Sequence, residues 1–562
     1  MSEQTGGTGE PHPAACISPA ATSEEPRIES RELRAESQEP RAKRQGGGVA
    51  PADRVATWAG LLLLAIYLLS TGGQPFISDG EVMLITAMRM VDERTVSLPE
   101  GAAIYPQTVR RADGVLFSKY GLGQPLAAAP LYAFGRYVLG RAIGAGAGAF
   151  YVGRFLTLLL PALATALSGA LLCAWSARLY QSARVGAALA LLFGVGTLAW
   201  PYSRFFFSEP LFAAGLLLAA LAIATRRPLI AGLGFGYALL TRVGGLVLLP
   251  AFGLYLWLSA SDDRQRAMDE RSGYQLTSIV SRLSSSARGK RATFFRQCVW
   301  FGLGLAPFAL AMAGYNWVRF RSPIERGYAN ESFSGNLIEG LYGLLLSPGK
   351  SVFLYVPLLL ALPWAIAPFA RRWRAEAALI GLLTLATLAQ SALWWIWWAG
   401  WGWGPRFLVP LMPFLVLPLG ALLERPGWRR GLIALLALSI GVNLLGILVD
   451  FNIYINDLTR GDIGRERIYL YQPAYSPIVA HLRMLDLRQA PIVSFALNDP
   501  RFGFPQPWAA IGSASFVLLL IVAALGLWRA LPPAEHAFAS RPGATQTQAA
   551  SFNKEEHNAL PD

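Results

Sequence analysis

The sequence is poor in charged residues for its length. Of its 562 residues only 15% are Asp, Glu, Lys or Arg, whereas 54% are hydrophobic, and the mean hydropathy is +0.39. Soluble domains carry about 25% charged residues. The shortage of charge therefore argues against a water-soluble enzyme and indicates a protein that lies in lipid.

Cysteine and histidine are also scarce. Three cysteines, Cys16, Cys173 and Cys298, lie in a polar tail and in two apolar segments, without the spacing of a metal site or a disulfide framework. The four histidines lie in the tails and in one late polar segment. This scarcity gives little support to a zinc site or a histidine-based triad. The turn Ser347–Lys350 lacks the spacing of a Walker motif, so a nucleotide site is rejected as well.

Long apolar runs recur from Leu61 to Leu527. A helix needs about 20 residues to cross a hydrocarbon core of about 30 Å. Runs such as Leu158 to Trp175 are apolar on all faces, whereas the strands of a membrane barrel alternate apolar and polar residues. The sequence therefore predicts an all-α polytopic membrane protein with a bundle of about 12 transmembrane helices.

The distribution of arginine predicts how the chain threads the membrane. Basic residues precede the first apolar run, which places the amino terminus in the cytoplasm by the positive-inside rule. The apolar stretch Pro125 to Leu139 can be taken as a span or as an interfacial helix. Only the interfacial interpretation places all later basic loops, including residues 260–296, in the cytoplasm.

This topology predicts a multi-pass plasma membrane protein with both termini in the cytoplasm. The predicted parts are a disordered tail at 1–54, a transmembrane domain at 55–530 and a second disordered tail at 531–562. Two long loops, a first outer loop at 72–153 and a last outer loop at 451–511, are predicted to face away from the cytoplasm.

Two carboxylates, Asp79 and Glu81, follow the first span directly. One interpretation is that they lie in the first turn of an amphipathic helix and stabilise its amino terminus. The other is that one of them acts as a general base, since a carboxylate with a tuned pKa can take a proton from an attacking hydroxyl.

Several cations lie in the predicted outer segments, against the topological bias. Arg242 and Arg406 lie at the edges of apolar helices, where an unpaired guanidinium costs about 2.5 to 3.5 kcal/mol at the bilayer midplane. Glu209 is a candidate partner for one, and a lipid phosphate for the other, because arginine binds phosphate through a bidentate fork. Snorkelling or surface ion pairs are the ordinary alternatives. The outer cations considered as anion ligands are Lys119, Arg204, Arg242, Lys350 and Arg406.

Six tryptophans precede the motif Gly404-Pro405-Arg406. Such a run is typical of an aromatic belt at the membrane interface. Indole rings also stack on sugars, so the run could instead wall a substrate cleft. The six are Trp394, Trp395, Trp397, Trp398, Trp401 and Trp403.

Short motifs occur in a fixed order between Ser78 and Leu423. They are Ser78-Asp79-Gly80-Glu81, Lys119-Tyr120-Gly121-Leu122-Gly123-Gln124-Pro125, Pro201-Tyr202-Ser203-Arg204 with Phe207-Ser208-Glu209-Pro210, Leu240-Thr241-Arg242, Gly340-Leu341-Tyr342-Gly343 with Ser347-Pro348-Gly349-Lys350, and Gly404-Pro405-Arg406-Phe407. In this order the chain resembles the GT-C glycosyltransferases that use polyprenyl-phosphate sugars. Within that class it is most similar to the bacterial relatives of protein O-mannosyltransferases and of the lipid A aminoarabinose transferase.

The resemblance implies a GT-C-like fold and a transfer reaction with inversion on the extracytoplasmic face, from a polyprenyl-phosphate sugar to a hydroxyl of a lipid, protein or glycan. It implies that Asp79 is the catalytic base and that Glu81 is a second acid. Adjacent acids are common in relatives, whereas here a glycine separates the two. No obligatory cofactor is expected, although a divalent cation is possible. The remaining implied site residues are phosphate ligands, Arg242, Lys350 and Arg406 with Arg204 and Lys119 in reserve, and supporting residues, Glu209, Tyr120, Tyr342 and Trp403.

Two other functions are compatible with an outward cationic cavity. A transporter or flippase of lipid-linked sugars explains the arginines equally well, but it does not require an acid pair in a long outer loop. A noncatalytic scaffold leaves the polar cluster unexplained. The sequence therefore favours a membrane glycosyltransferase with no nucleic-acid partner.

Overall fold

The computed structural model describes residues 50–73, 77–269, 279–325, 327–328, 331–487 and 508–532. Nearly all of both predicted tails lies outside these residues, so their disorder stays a prediction.

Apolar helices make up most of the described chain. Eight helical segments in it are long and apolar enough to cross a membrane: Ala52–Leu69, Gly146–Leu179, Val243–Ala260, Lys290–Phe320, Arg374–Leu393, Arg406–Leu423, Pro426–Leu448 and Trp508–Ala530. Shorter apolar helices include Ala183–Gly196, Glu209–Ala224 and Pro228–Thr241. The predicted count of about twelve would also need these three shorter helices and the segment 352–372, where Pro357–Ala361 interrupts the α-helix as a 3-10 turn. The all-α polytopic architecture is confirmed.

The first half of the chain holds twelve α-helices in the described residues. They are α1 (Ala50–Leu69), α2 (Ser78–Asp92), α3 (Gly123–Ala133), α4 (Gly140–Ala142), α5 (Ala149–Thr157), α6 (Leu160–Leu179), α7 (Ala183–Gly196), α8 (Ala199–Tyr202), α9 (Glu209–Ala224), α10 (Pro228–Thr241), α11 (Leu249–Asp269) and α12 (Ile279–Phe320).

The second half continues the helical pattern. Its α-helices in the described residues are α13 (Leu337–Leu346), α14 (Val352–Tyr355), α15 (Leu362–Arg372), α16 (Arg374–Leu393), α17 (Met412–Val416), α18 (Gly420–Leu423), α19 (Arg429–Leu448), α20 (Phe451–Thr459), α21 (Glu466–Tyr471), α22 (Pro477–Met484) and α23 (Trp508–Ala530).

The first outer loop folds into α2, a small sheet and α3. The sheet, which the sequence did not predict, has three antiparallel strands in the order β1 (Ser97–Leu98), β3 (Leu116–Ser118) and β2 (Thr108–Arg110). The stretch Pro125 to Leu139 forms most of α3 and a following π-helical turn, and it is not among the described helices of spanning length. This agrees with the interfacial interpretation.

Close helix packing places two site residues at one end of the bundle. A Cβ atom at Gly232 on α10 would collide with the backbone of Phe301 on α12. A Cβ atom at Gly304 on α12 would collide with the backbone of Leu229 on α10. Small residues of this kind let membrane helices approach closely. Helices α9 and α10 are consecutive packed neighbours, so Glu209 at the start of α9 and Arg242 just after α10 lie at the same end.

Candidate functional site

A cavity of about 1450 Å³ opens between the first outer loop, the bundle and the last outer loop. Its wall has a polar part and an apolar part. Charged residues of the polar part include Asp79, Lys119, Glu209, Arg242, Glu331, Arg406 and Glu466. The apolar part comes from predicted spans and includes Phe212, Leu216, Leu239, Leu248, Met312 and Leu411. A cavity of this kind suits a ligand with a charged head and a hydrocarbon chain.

Asp79 lies in the first turn of α2, where a carboxylate interacts favourably with the helix dipole. Its side chain is only 11% exposed. One oxygen, Oδ1, accepts a hydrogen bond of 2.9 Å from Gln107 Nε2, and the other, Oδ2, lies 2.9 Å from Arg406 Nη1. The carboxylate is therefore oriented from both sides while it faces the cavity.

Arg406 links two carboxylates in a row of alternating charges. Beyond Asp79, its Nε lies 3.4 Å from Glu209 Oε1, and Glu209 in turn pairs with Arg242. The Arg406 guanidinium also lies 4.4 Å from the centre of the Phe207 ring, within the range of a cation–π interaction. Glu209 is almost fully buried, whereas the Arg242 side chain is 30% exposed. Arg242 therefore keeps a surface that a ligand can reach.

Glycines bring the Lys119-to-Pro125 motif against the Leu240-to-Arg242 motif. A Cβ atom at Gly121 or Gly123 would collide with residues 240–241. The hydroxyl of Tyr237 donates to the Gly123 carbonyl at 2.8 Å. A larger residue at either position would therefore force the two segments apart.

Lys119 and Tyr120 follow strand β3 into the cavity wall. The Lys119 ammonium pairs with Glu331 and lies 5.6 Å from the ring centre of Tyr328. Arg319 fixes this segment, since its Nη1 donates to the carbonyls of Ser118 at 2.7 Å and Tyr120 at 3.1 Å. Burial and the nearby Asp79 charge raise the pKa of Tyr120 well above its usual range. The phenol therefore remains a proton donor.

Glu81 points away from Asp79. Its carboxylate forms a bidentate ion pair with Arg154 on α5, with oxygen–nitrogen distances of 2.9 and 2.7 Å. Glu81 is not part of the described cavity wall. Residues two positions apart lie on opposite sides of a helix. The structure thus separates the two acids, with Asp79 at the cavity and Glu81 in a contact between α2 and α5.

Two predicted phosphate ligands lie outside the described cavity wall. Arg204 is buried and its Nη1 donates to the carbonyl of Ile447 at the end of α19. Lys350 is buried as well, and its Nζ donates to two backbone carbonyls, Gly400 at 3.2 Å and Gly402 at 2.9 Å. Both cations therefore contact protein backbone where the sequence had predicted contact with a ligand.

The aromatic candidates separate into two groups. Trp394, Trp395 and Trp401 belong to the cavity wall. Trp403 is buried and packs edge-on against Tyr355, and Tyr342 is 45% exposed and stacks on a tyrosine of α21. Neither of these two belongs to the described wall.

Several wall residues were missed from the sequence. Gln107 and Glu331 lie in stretches without a motif, and only the folded first outer loop brings Gln107 to Asp79. Glu466 lies in the last outer loop, where the sequence shows no recognisable motif. Arg319, which also lines the cavity, had no role in the sequence-based prediction. Among the described residues, no three His, Cys, Asp or Glu side chains form a group that could hold a metal ion.

The fold and the cavity define the chain as a multi-pass membrane protein with an ionic site next to an apolar recess. No protein-family model matches the sequence, and no curated protein matches it. The chain is similar to two crystal structures of ArnT from Cupriavidus metallidurans, one bound to undecaprenyl phosphate (TM-score 0.42) and one in the apo state (TM-score 0.43). In both cases identity is 16%, over 83% of this chain and 76% of that chain. So distant a similarity carries no conclusion about the reaction.

Proposed function

We propose that this protein is a membrane glycosyltransferase that moves a sugar from a polyprenyl-phosphate donor to an acceptor hydroxyl on the extracytoplasmic face. One observation carries the proposal: a buried, oriented carboxylate, Asp79, shares a cavity with the cations Lys119, Arg242 and Arg406, and this cavity continues into an apolar recess. The recess suits a prenyl chain and the cations suit its phosphate. The resemblance in motif order supports the same function.

In the proposed reaction Asp79 accepts the proton of the acceptor hydroxyl. The hydroxyl oxygen attacks the anomeric carbon and forms the new glycosidic bond, while the bond from that carbon to the phosphate oxygen breaks. Polyprenyl phosphate leaves with the bonding electron pair, and the anomeric configuration inverts. Arg406 and Arg242 stabilise the charge that develops on the leaving phosphate, since fixed cations in a site with little water act strongly on developing charge.

The pairing of Arg406 with Asp79 connects donor binding to the base. The Arg406 guanidinium and the Asp79 carboxylate neutralise each other at 2.9 Å. Donor phosphate oxygens compete for the same guanidinium, and they free Asp79 Oδ2 to accept a proton. We therefore expect the base to become available when the donor is bound.

The test is sugar transfer in proteoliposomes with radiolabelled polyprenyl-phosphate sugars as donors. The proposal requires transfer by the wild-type protein and a strong loss in Arg406→Ala at equal reconstitution. Movement of the donor across the bilayer without any transfer would instead identify a flippase of lipid-linked sugars.

A further inference from the structure

The Ser347-to-Lys350 motif has no place in the described cavity wall, yet it carries a fully buried amino group. A buried polar group without hydrogen-bond partners is strongly unfavourable. Both carbonyls that accept from Lys350 Nζ, those of Gly400 and Gly402, belong to the segment between α16 and Arg406. We call this segment, residues 394–405, the tryptophan loop.

The tryptophan loop has little regular structure to hold its own shape. Its backbone takes positive φ angles at Ala399 (61°), Gly400 (62°) and Gly404 (63°), which are rare for residues other than glycine. Side chains outside the loop must therefore fix its path. Lys350 is one such side chain. Glu466 is another, since its carboxylate accepts hydrogen bonds from the indole nitrogens of two loop tryptophans, Trp398 and Trp401.

The turn that carries Lys350 is itself rigid. The backbone N–H of Lys350 donates to Ser347 Oγ at 3.1 Å, and the hydroxyl of Tyr355 donates to the Gly349 carbonyl at 2.9 Å. A Cβ atom at Gly349 would collide with the backbone of Tyr469 on α21. The amino group of Lys350 therefore extends from a rigid turn to the tryptophan loop.

We propose that Lys350 is a positioning residue, which fixes the tryptophan loop and so holds the Arg406 guanidinium against Asp79 and Glu209. Arg406 follows Gly402 by four residues. The backbone N–H of Arg406 donates a hydrogen bond to the Gly404 carbonyl at 3.1 Å. A shift of the loop is thus passed directly to Arg406. The catalytic consequence rests on the proposed function, because Arg406 acts there on the leaving phosphate.

The first test is Lys350→Met in the full-length protein, assayed for sugar transfer. Methionine has a similar length but donates no hydrogen bond, and an apolar replacement of a buried charge is often neutral or stabilising, so the fold should persist. A displacement of about 1 Å at a catalytic group costs ~100-fold in rate. We expect kcat to fall ~10- to 100-fold while the donor KM changes little.

A second variant loosens the loop without touching Lys350. Trp398→Phe removes an indole N–H from Glu466, and Trp398 is not part of the described cavity wall. It should lower kcat as Lys350→Met does. The matched control is Lys290→Met, the same change on α12 at a lysine that lies over the Trp257 ring and outside the wall. This control should retain wild-type turnover.

Combination with Arg406→Ala tests the route of action. If Lys350 acts through Arg406, adding Lys350→Met to Arg406→Ala causes no further loss, because contacting residues in one network are not additive. An equal loss in both backgrounds would overturn the proposal, as would wild-type kcat in Lys350→Met.

Hydrogen–deuterium exchange without substrate separates this proposal from the proposed function. Lys350→Met should speed exchange in peptides covering residues 394–405 and leave α9 and α10 unchanged. Unchanged exchange in the loop would refute the positioning role. If the wild-type protein transfers no sugar, the proposed function fails, while the exchange result still decides whether Lys350 orders the loop.

Discussion

Replacing Asp79 by asparagine is the most direct perturbation of the site. Asparagine keeps the size of the side chain and an oxygen that can accept from Gln107, but it cannot take a proton. General-base catalysis contributes about 10²- to 10⁴-fold in rate, which corresponds to roughly 3 to 5 kcal/mol of transition-state stabilisation. We expect kcat for sugar transfer to fall by that factor.

Donor binding should respond in the opposite direction. Asp79→Asn removes the carboxylate that lies 2.9 Å from Arg406, while Glu209 at 3.4 Å keeps the guanidinium partly neutralised. Arg406 is then freer to bind phosphate. The affinity for undecaprenyl phosphate, measured by isothermal titration in nanodiscs, should therefore be unchanged or higher.

The matched control is Asp92→Asn, the same change at the other end of α2. Asp92 accepts hydrogen bonds from Tyr132, Arg136 and Tyr137 and is not part of the described cavity wall. It should retain turnover. If Asp79→Asn transfers sugar within tenfold of a wild-type protein that is demonstrably active, the assignment of the base is refuted.

Other changes test separate parts of the site. Arg242→Ala should weaken undecaprenyl phosphate binding by ~10-fold or more, since a hydrogen bond to a charged group contributes about 1.5 to 3 kcal/mol; unchanged affinity in the same titration would contradict its role. Glu81→Gln should lower the melting temperature and keep turnover, because Glu81 serves the contact with Arg154; lost turnover at normal stability would restore it as a catalytic acid. Burial lowers the pKa of Lys350 to about 7, so between about pH 7 and 10.5 the unfolded chain binds a proton that the native protein has released. Stability should therefore rise with pH across this window, and Lys350→Met should flatten that rise in melting curves. Chelation by EDTA should leave transfer intact, because cations of the protein already pair with the cavity acids such as Asp79; a loss that Mg²⁺ restores would show a metal requirement.

The helical architecture could be predicted because apolar runs of spanning length leave the backbone few alternatives in lipid. The encounter of Asp79, Glu209, Arg242 and Arg406 could be predicted in outline, since unpaired charges beside apolar helices must find partners. The order in which these four side chains pair with one another could not be predicted. It depends on how far each helix extends and on which neighbour α9 packs against.

The distinction between Asp79 and Glu81 depends on one local detail. Helix α2 begins at Ser78, so both acids are already helical and point to opposite sides. In an irregular loop the same two residues could have faced one ligand together. The contacts of Lys350 could not be predicted for a different reason. Its acceptors are backbone carbonyls 50 and 52 positions away, and a sequence does not indicate which carbonyls come close in the fold.

The ion pair between Asp79 and Arg406 spans 327 positions of the chain. At a synthesis rate of about 5 to 20 residues per second, Asp79 waits roughly 16 to 65 s for this partner after it leaves the ribosome. Until Arg406 has been synthesised, the Asp79 carboxylate at the start of α2 must be stabilised by water or by another partner. A chain that ends before Arg406 would therefore hold Asp79 without this guanidinium partner.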